Sequence, residues 1–334
     1  MFKKLLLSVA VLSSSLLAND VVNVYSSRHY DTDKIIHKMF EEKTGIKVKV
    51  IQDKADALIK RMQSEGKNSP ADVFITVDAA RIQRVKENNL FQSIESEYLT
   101  KNIDSKLRDK DNEWFALTKR ARVIAVRRDS PLANGIKTYE ELADPKYKNQ
   151  IMVRSSSNVY NQSLMAAMIA HHGVEYATKW AKGIVANMAR APKGSDRDQA
   201  KAVAAGLGST AIMNTYYFGK LAVSNESDKE VVSKLKVIFP KFENGGTHVN
   251  ISAAGVTKTS KNKENAIKYI EFLLSKEAQE VYSKGNFEYP ILKEAQTAPL
   301  VAAWGKVQDD SVTINDLGKY NKDAVKALDV AGWK

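Results

Sequence analysis

Strand and helix patterns alternate almost from one end of this chain to the other, and that alternation limits what it can fold into more than any other feature. Val21–Tyr25 is a short apolar run of buried-strand type. Asp31, Thr32 and Asp33 then offer N-cap chemistry to a helix whose apolar face is Ile35, Ile36, Met39 and Phe40, and Gly45 stops it as a left-handed cap. Ile46, Val48 and Val50 alternate with lysines as the next strand. A helix over 55–64, a strand over 71–76 and a helix to about residue 88 complete a βαβαβα series, which predicts a parallel sheet with helices on both faces. The pattern restarts with strands at 122–127 and 151–153, and a long helix capped by Asn158 and closed by Gly173. A strand at Ala211–Met213 follows, then strands at 236–239 and 248–251 around a Gly245-Gly246 turn, then an amphipathic helix at 266–275. Two α/β lobes joined by crossing segments near 119–122 and 235–240 fit this better than one large sheet.

The amino terminus reads as an export signal over residues 1–18: Lys3 and Lys4, an apolar run from Leu5 to Leu17, and Ala18 before the cleavage point. The run is short for a membrane span, and Asn19 and Asp20 follow at once. The mature chain of 316 residues (334 − 18) is therefore expected to be soluble and outside the cytoplasm, and it is long enough for two lobes with their own cores. The absence of cysteine excludes a disulfide framework, a lipid-bearing cysteine tether, thiolate metal sites and cysteine nucleophiles. The 51 Lys+Arg outnumber 39 Asp+Glu, but lysines such as Lys258, Lys261, Lys263, Lys268 and Lys276 are scattered and form no stripe with interleaved aromatics. That pattern is a solvated basic surface and points to no nucleic-acid partner. No Gly-x-Ser-x-Gly elbow, His-Glu-x-x-His or Walker-type loop is present, so an enzyme has no motif behind it. His171 and His172 fall at a helix end, where solvent exposure or dipole complementarity accounts for them.

The adjacent pair Tyr216-Tyr217 stands where the strand Ala211–Met213 ends and a helix begins behind Asn214 and Thr215. A strand would send the two phenols to opposite faces, whereas in a first helical turn both hydroxyls can lean over the helix mouth. Two other segments hold the same position. Arg28-His29-Tyr30 follows the first strand, and Tyr160 stands just past the Asn158 cap. All lie at the carboxyl edge of a parallel sheet, where open α/β folds bind ligands and helix N-termini favour anionic groups. Several phenolate oxygens at one point suit a hard, highly charged cation, foremost Fe(III), with His29 as a neutral nitrogen donor. Taken singly, Tyr30 also fits a strand-end aromatic, His29 a solvated side chain and Tyr160 a packing residue.

Several runs extend this convergence: Val24-Tyr-Ser-Ser-Arg-His-Tyr30, Pro70-Ala-Asp-Val-Phe74 with Asp78-Ala-Ala80, and Asn158-Val-Tyr-Asn-Gln-Ser163. So do Asp196-Arg-Asp-Gln199, Asn214-Thr-Tyr-Tyr217, Asn250-Ile-Ser-Ala-Ala-Gly255 and Glu288-Tyr-Pro290. With these the chain resembles the periplasmic ferric-iron-binding proteins, the solute-binding components of iron(III) ABC importers, over essentially its whole mature length. The resemblance implies a type II periplasmic-binding-protein fold: two α/β lobes, parallel-type sheets flanked by helices, two hinge strands and closure around Fe(III). It implies lobes of 19–120 with 237–290 and of 121–236 with 291–334. It also implies a monomer that passes a ferric ion or ferric chelate to an inner-membrane ABC permease, with His29, Tyr30, Tyr160, Tyr216 and Tyr217 as ligands. Some family members use a histidine, a carboxylate, two tyrosines and an exogenous anion; others use a histidine and four tyrosines. Tyr30 and Tyr160 align this chain with the second kind, which puts an obligatory synergistic anion such as carbonate in doubt. Arg120, beside the expected hinge, either neutralises a phenolate or holds an anion, or else makes a surface or hinge salt bridge. The alternative cargo for the same scaffold is an organic cation or oxyanion such as thiamine, a polyamine or a phosphonate, which would not need the tyrosine pair.

Overall fold

The computed structural model describes residues 20–28 and 30–334, so the export signal read at 1–18 and the expected ligand His29 lie outside the described residues. The strands of the described residues are β1 (Val21–Ser26), β2 (Lys47–Gln52), β3 (Val73–Val77), β4 (Phe115–Arg127), β5 (Ile151–Met152), β6 (Thr210–Asn214), β7 (Leu235–Ile238), β8 (Val249–Val256) and β9 (Tyr289–Pro290). They form a mixed sheet of order β2-β1-β3-β8-β4-β6-β5, with β7 and β9 also paired to β4. Helices flank it, giving the α/β fold expected from the alternation. No helix of the described residues is long and apolar enough to cross a membrane.

The βαβ crossovers give parallel pairs, β1 with β2 and β3, and β5 with β6. The sheet is not parallel throughout: β8 runs antiparallel to β3 and β4, and β4 antiparallel to β6. The physical reason is the route of the chain. β4 and β8 do not return through a helical crossover within one half of the sheet; they pass between the halves.

β4 is the main such passage. Lys119, Arg120 and Ala121 pair with Ile251, Asn250 and Val249 of β8, and from Arg122 onward the partner is β6, beginning at Asn214. β7 lies along the second half of β4 and β8 along the first, so β7 and β8, on either side of the Gly245-Gly246 segment, pair with β4 and not with each other.

Local signals set the helix ends that matter for the site. Gly45 closes Asp31–Thr44 at φ 75°, a left-handed conformation that a Cβ would penalise. The N-cap of that helix is Tyr30 and not one of the three residues after it; the Asp33 carboxylate turns back to accept the Tyr30 N–H at 3.1 Å. Asn158 accepts the Tyr160 N–H at 3.0 Å and so starts Val159–Asn187. Gly173, at φ 81° and ψ 168°, breaks that helix after His172, and a second helical run continues directly to Asn187. The apolar core gathers under the sheet, with Phe40, Phe74, Trp114 and Phe115 among its buried side chains. A smaller cluster of Ala211, Met213, Phe218 and Leu221 supports the end of β6.

Candidate metal centre

Tyr30, Tyr160, Tyr216 and Tyr217 line one cavity of about 800 Å³, together with Arg28, Arg197 and Lys220. The Tyr216 hydroxyl donates to the Tyr160 oxygen at 3.0 Å. The Tyr216 and Tyr217 rings lie 4.2 Å apart at 35°, and Tyr217 lies 6.5 Å from Tyr160. Segments 56 residues apart in sequence thus bring hydroxyls into contact, as their shared place at helix mouths predicts.

Each tyrosine is held by the element behind it. Tyr30 follows β1 through Arg28, a buried guanidinium whose Nε reaches Asp33 at 3.1 Å and whose Nη2 reaches Glu288 at 3.0 Å. Asp33 in turn fixes the Tyr30 backbone, and the Arg28 guanidinium stands 5.2 Å from the Tyr30 ring centre. Behind the other tyrosines a single buried residue, Arg122 of β4, ties together the starts of three helices. Its guanidinium meets Asn161 near the start of Val159–Asn187, Asp196 at the start of Asp196–Ala204, and Asn214 ahead of Thr215–Ala222. Asp196 also accepts the Asn214 N–H at 2.9 Å. The residues carrying Tyr160 and the tyrosine pair are therefore fixed to one charge.

Arg120, two residues earlier on the same strand, is buried and lies 3.6 Å from Asp78. Asp78 also accepts from Ser163 at 2.8 Å and from Asn250 at 2.8 Å. This is a buried ion pair at the crossing strand, not a surface one, and the guanidinium faces the Tyr160 ring at 5.3 Å. Arg122 at 6.0 Å and Arg154 at 5.7 Å complete a cationic shell around that ring.

Burial is the first cause that pushes the Tyr160 phenol up, to about 12; Tyr217 adds to it and Arg120 works against it. Tyr216 is held well above the ordinary tyrosine value by burial, then by Tyr160, Tyr30 and Tyr217. Tyr30 is raised by burial and then by Glu288. These three are neutral phenols at neutral pH. Their mutual influence shows that each would feel a charge on the others. Lys220, whose Nζ sits 4.1 Å from the Tyr30 ring centre, is lowered by burial first. A cleft that crowds phenols, keeps them protonated and places guanidiniums behind them suits a cation charged enough to displace the protons.

The sequence reading assigned no role to Arg122, Arg154, Asp78, Asp196 or Glu288. A signal for Arg122 was present: in a strand it shares a face with Arg120. The partners needed long-range contacts, up to 260 residues apart for Arg28 and Glu288. His171 and His172 are not simply solvated helix-end residues, since His171 Nε2 meets Asp310 at 2.9 Å and His172 Nε2 meets Glu140 at 2.7 Å.

A mixed sheet crossed by β4, with a ligand cavity at the strand ends, is the layout of a solute-binding protein. The chain belongs to the family of bacterial extracellular solute-binding proteins, whose family model matches residues 68–304. Within it, the chain is 46% identical over 314 residues to iron uptake protein A1 of Synechocystis sp., covering 94% of this chain and 87% of that protein. Among solved structures it is similar to the Trichodesmium protein (IdiA, FutA) in complex with iron and citrate, with TM-score 0.91 and 47% identity over 94% of this chain and 100% of that one. The ferric binding protein from Campylobacter jejuni gives TM-score 0.88 and 45% identity, covering 94% and 100% of the two chains. The resemblance read from the tyrosine motifs is borne out by these relatives.

Proposed function

We propose that this protein captures Fe(III) as cargo and delivers it to a membrane importer, with Tyr30, Tyr160, Tyr216 and Tyr217 as phenolate ligands and His29 as a neutral nitrogen donor. The observation that carries the reading is the meeting of the tyrosines in one cavity, with Tyr216 and Tyr160 already in hydroxyl contact. Relatives named for iron uptake and ferric binding support the same cargo. Three or four phenolates bring the charge of a ferric site to neutral or slightly negative. Divalent ions repay the cost of ionising buried phenols less well, so Fe(III) is preferred. Arg120, paired with Asp78, serves as a positive neighbour that eases ionisation of Tyr160. A carbonate or similar anion is not required by this ligand set.

Capture proceeds by closure. The lobe of 121–236 with 291–334 holds the tyrosines 160, 216 and 217, and the lobe of 19–120 with 237–290 brings Tyr30 and His29. The proposed hinges are β4 near Ala121, where its partner changes from β8 to β6, and the segment between β7 and β8, which overlaps the crossing read at 235–240. The closed form, a monomer in the periplasm, is what an inner-membrane ABC permease recognises. The chain acts by binding and release and performs no chemical conversion. The test is a competition titration of the purified ion-free protein with ferric citrate. One equivalent of iron taken from citrate supports the reading; no uptake, with tight binding of thiamine, a polyamine or a phosphonate instead, contradicts it.

A further inference from the structure

A second group of ligand-type side chains lies at the far end of the helical run that begins beside Tyr160. Glu140, His172 and Glu243 each bring one donor atom to within 4.8 Å of the other two. They come from three segments: the turn Glu140–Ala143, the helix end just before Gly173, and the 239–248 passage. We propose that they bind a divalent transition metal of the zinc class, at a site separate from the tyrosine cavity. His172 is twelve residues along the helix from Tyr160, so at 1.5 Å per residue the sites are ~18 Å apart.

Four observations support the assignment. First, Glu140 is only 6% exposed, and among the described residues its Oε2 has no hydrogen-bond partner. A buried carboxylate oxygen without a donor is costly, and a bound cation would satisfy it. Second, the imidazole is held in place: Tyr176 stacks on the His172 ring at 4.4 Å and 28°, and its Nε2 meets Glu140 Oε1 at 2.7 Å. Third, Glu243 is tied to the same carboxylate through its own backbone N–H, which donates to Glu140 Oε1 at 3.3 Å. Fourth, one neutral imidazole and two carboxylates give a donor set of charge −2. That set selects Zn²⁺ or a neighbouring transition ion over Mg²⁺ and Ca²⁺, and three protein ligands leave a tetrahedral position for water. Glu243 is exposed and provides the way in. A protonated His172 paired with Glu140 would engage Oε1 but leave Oε2 as it is. His171 is already engaged by both Asp310 oxygens, at 2.9 and 3.0 Å, and is not counted as a ligand.

The test uses the full mature protein saturated with iron, dialysed against micromolar ZnCl2 in excess Mg²⁺, with zinc per chain read by elemental analysis. One retained equivalent is expected. Its affinity should fall about 10-fold or more in His172→Gln and Glu140→Gln, since even partners beyond the direct ligands matter by that much. Glu243→Gln, at an exposed position where folding is not at stake, should weaken zinc by a smaller factor. Iron uptake should be unchanged in His172→Gln and Glu140→Gln. The same measurement on a Tyr216→Phe/Tyr217→Phe protein keeps the reading independent of the iron assignment. Absence of stoichiometric zinc in the wild type, or retention undiminished in both His172→Gln and Glu243→Gln, would overturn the site.

Discussion

At the scale of single residues, the proposed iron chemistry rests on phenol oxygens that give up their protons when the cation binds. Tyr216→Phe and Tyr217→Phe each remove one oxygen of the proposed ligand set and keep the ring. Each is expected to lower iron affinity by more than about 100-fold in citrate competition, because losing even an indirect partner of a metal costs up to that much. Stability should change little, since Tyr216→Phe gives up one hydrogen bond to Tyr160, worth about 1 kcal/mol. Proton release is a second readout. Tyr30, Tyr160 and Tyr216 are all raised, so each holds its proton from pH 5 to 8 and must lose it to ligate. Iron binding at pH 7 should free one proton for each phenol that ligates, about four for the proposed set, and affinity should fall as pH falls. Affinity flat between pH 5 and 7 would contradict ligation by these phenols. The shift has an opposite consequence for the ion-free fold: unfolded tyrosine ionises near pH ~10 while Tyr160 keeps its proton to about 12. Stability is therefore whole below pH ~10 and declines as pH rises through that window. The tyrosines were legible because each stands at a strand-to-helix junction. Arg120 beside them was read from the sequence, but Arg122 and pairs such as Arg28 with Glu288 were not, because the fold alone brings them together.

Among the elements, the helix Thr215–Ala222 positions the tyrosine pair, and its placement depends on two features away from the phenols. One is Asp196, which accepts from Arg122 and from the Asn214 N–H. Asp196→Ala leaves a buried guanidinium with its carboxylate removed and is expected to cost about 3–5 kcal/mol in denaturant unfolding, with iron affinity falling as well. The other is Gly219, where an added Cβ would stand 2.4 Å from the Phe287 ring. Gly219→Ala must push the helix away from Phe287, with an expected cost of about 1–3 kcal/mol and weaker iron binding although no ligand is changed. An unaltered affinity in Gly219→Ala would mean that the helix position is not what sets the site. Sequence pattern located most strands to within a few residues and missed helices such as Asp196–Ala204, Glu226–Ser233, Lys276–Asn286 and Asn321–Val330; it also shortened the two strands that pass between the halves. The strand expected at 122–127 is the second part of β4, whose first part contains Thr118, Lys119 and Arg120. Those polar residues hide a buried strand, in which Thr118 donates to Glu288 and Arg120 stands beside Asp78. The strand expected at 248–251 likewise runs on to Val256 through Ser252 and Gly255, small residues that carry little strand signal.

For the whole molecule, the alternation of strand and helix was enough to place the chain among α/β proteins, while the route of β4 and β8 required the pairing itself. Periodicity reports which face of a strand is buried and says nothing about which strand lies beside it. The proposed closure has a global readout: the radius of gyration from small-angle scattering should shrink when iron binds, and the Tyr216→Phe/Tyr217→Phe protein should not respond. The most direct measurement is the visible spectrum of the ion-free protein on addition of ferric citrate. Phenolate ligation predicts an orange-red charge-transfer band that saturates at one iron per chain and is lost in the Tyr216→Phe/Tyr217→Phe protein. A colourless protein, or a band that survives loss of both phenols, would contradict the claim that these tyrosines hold the iron.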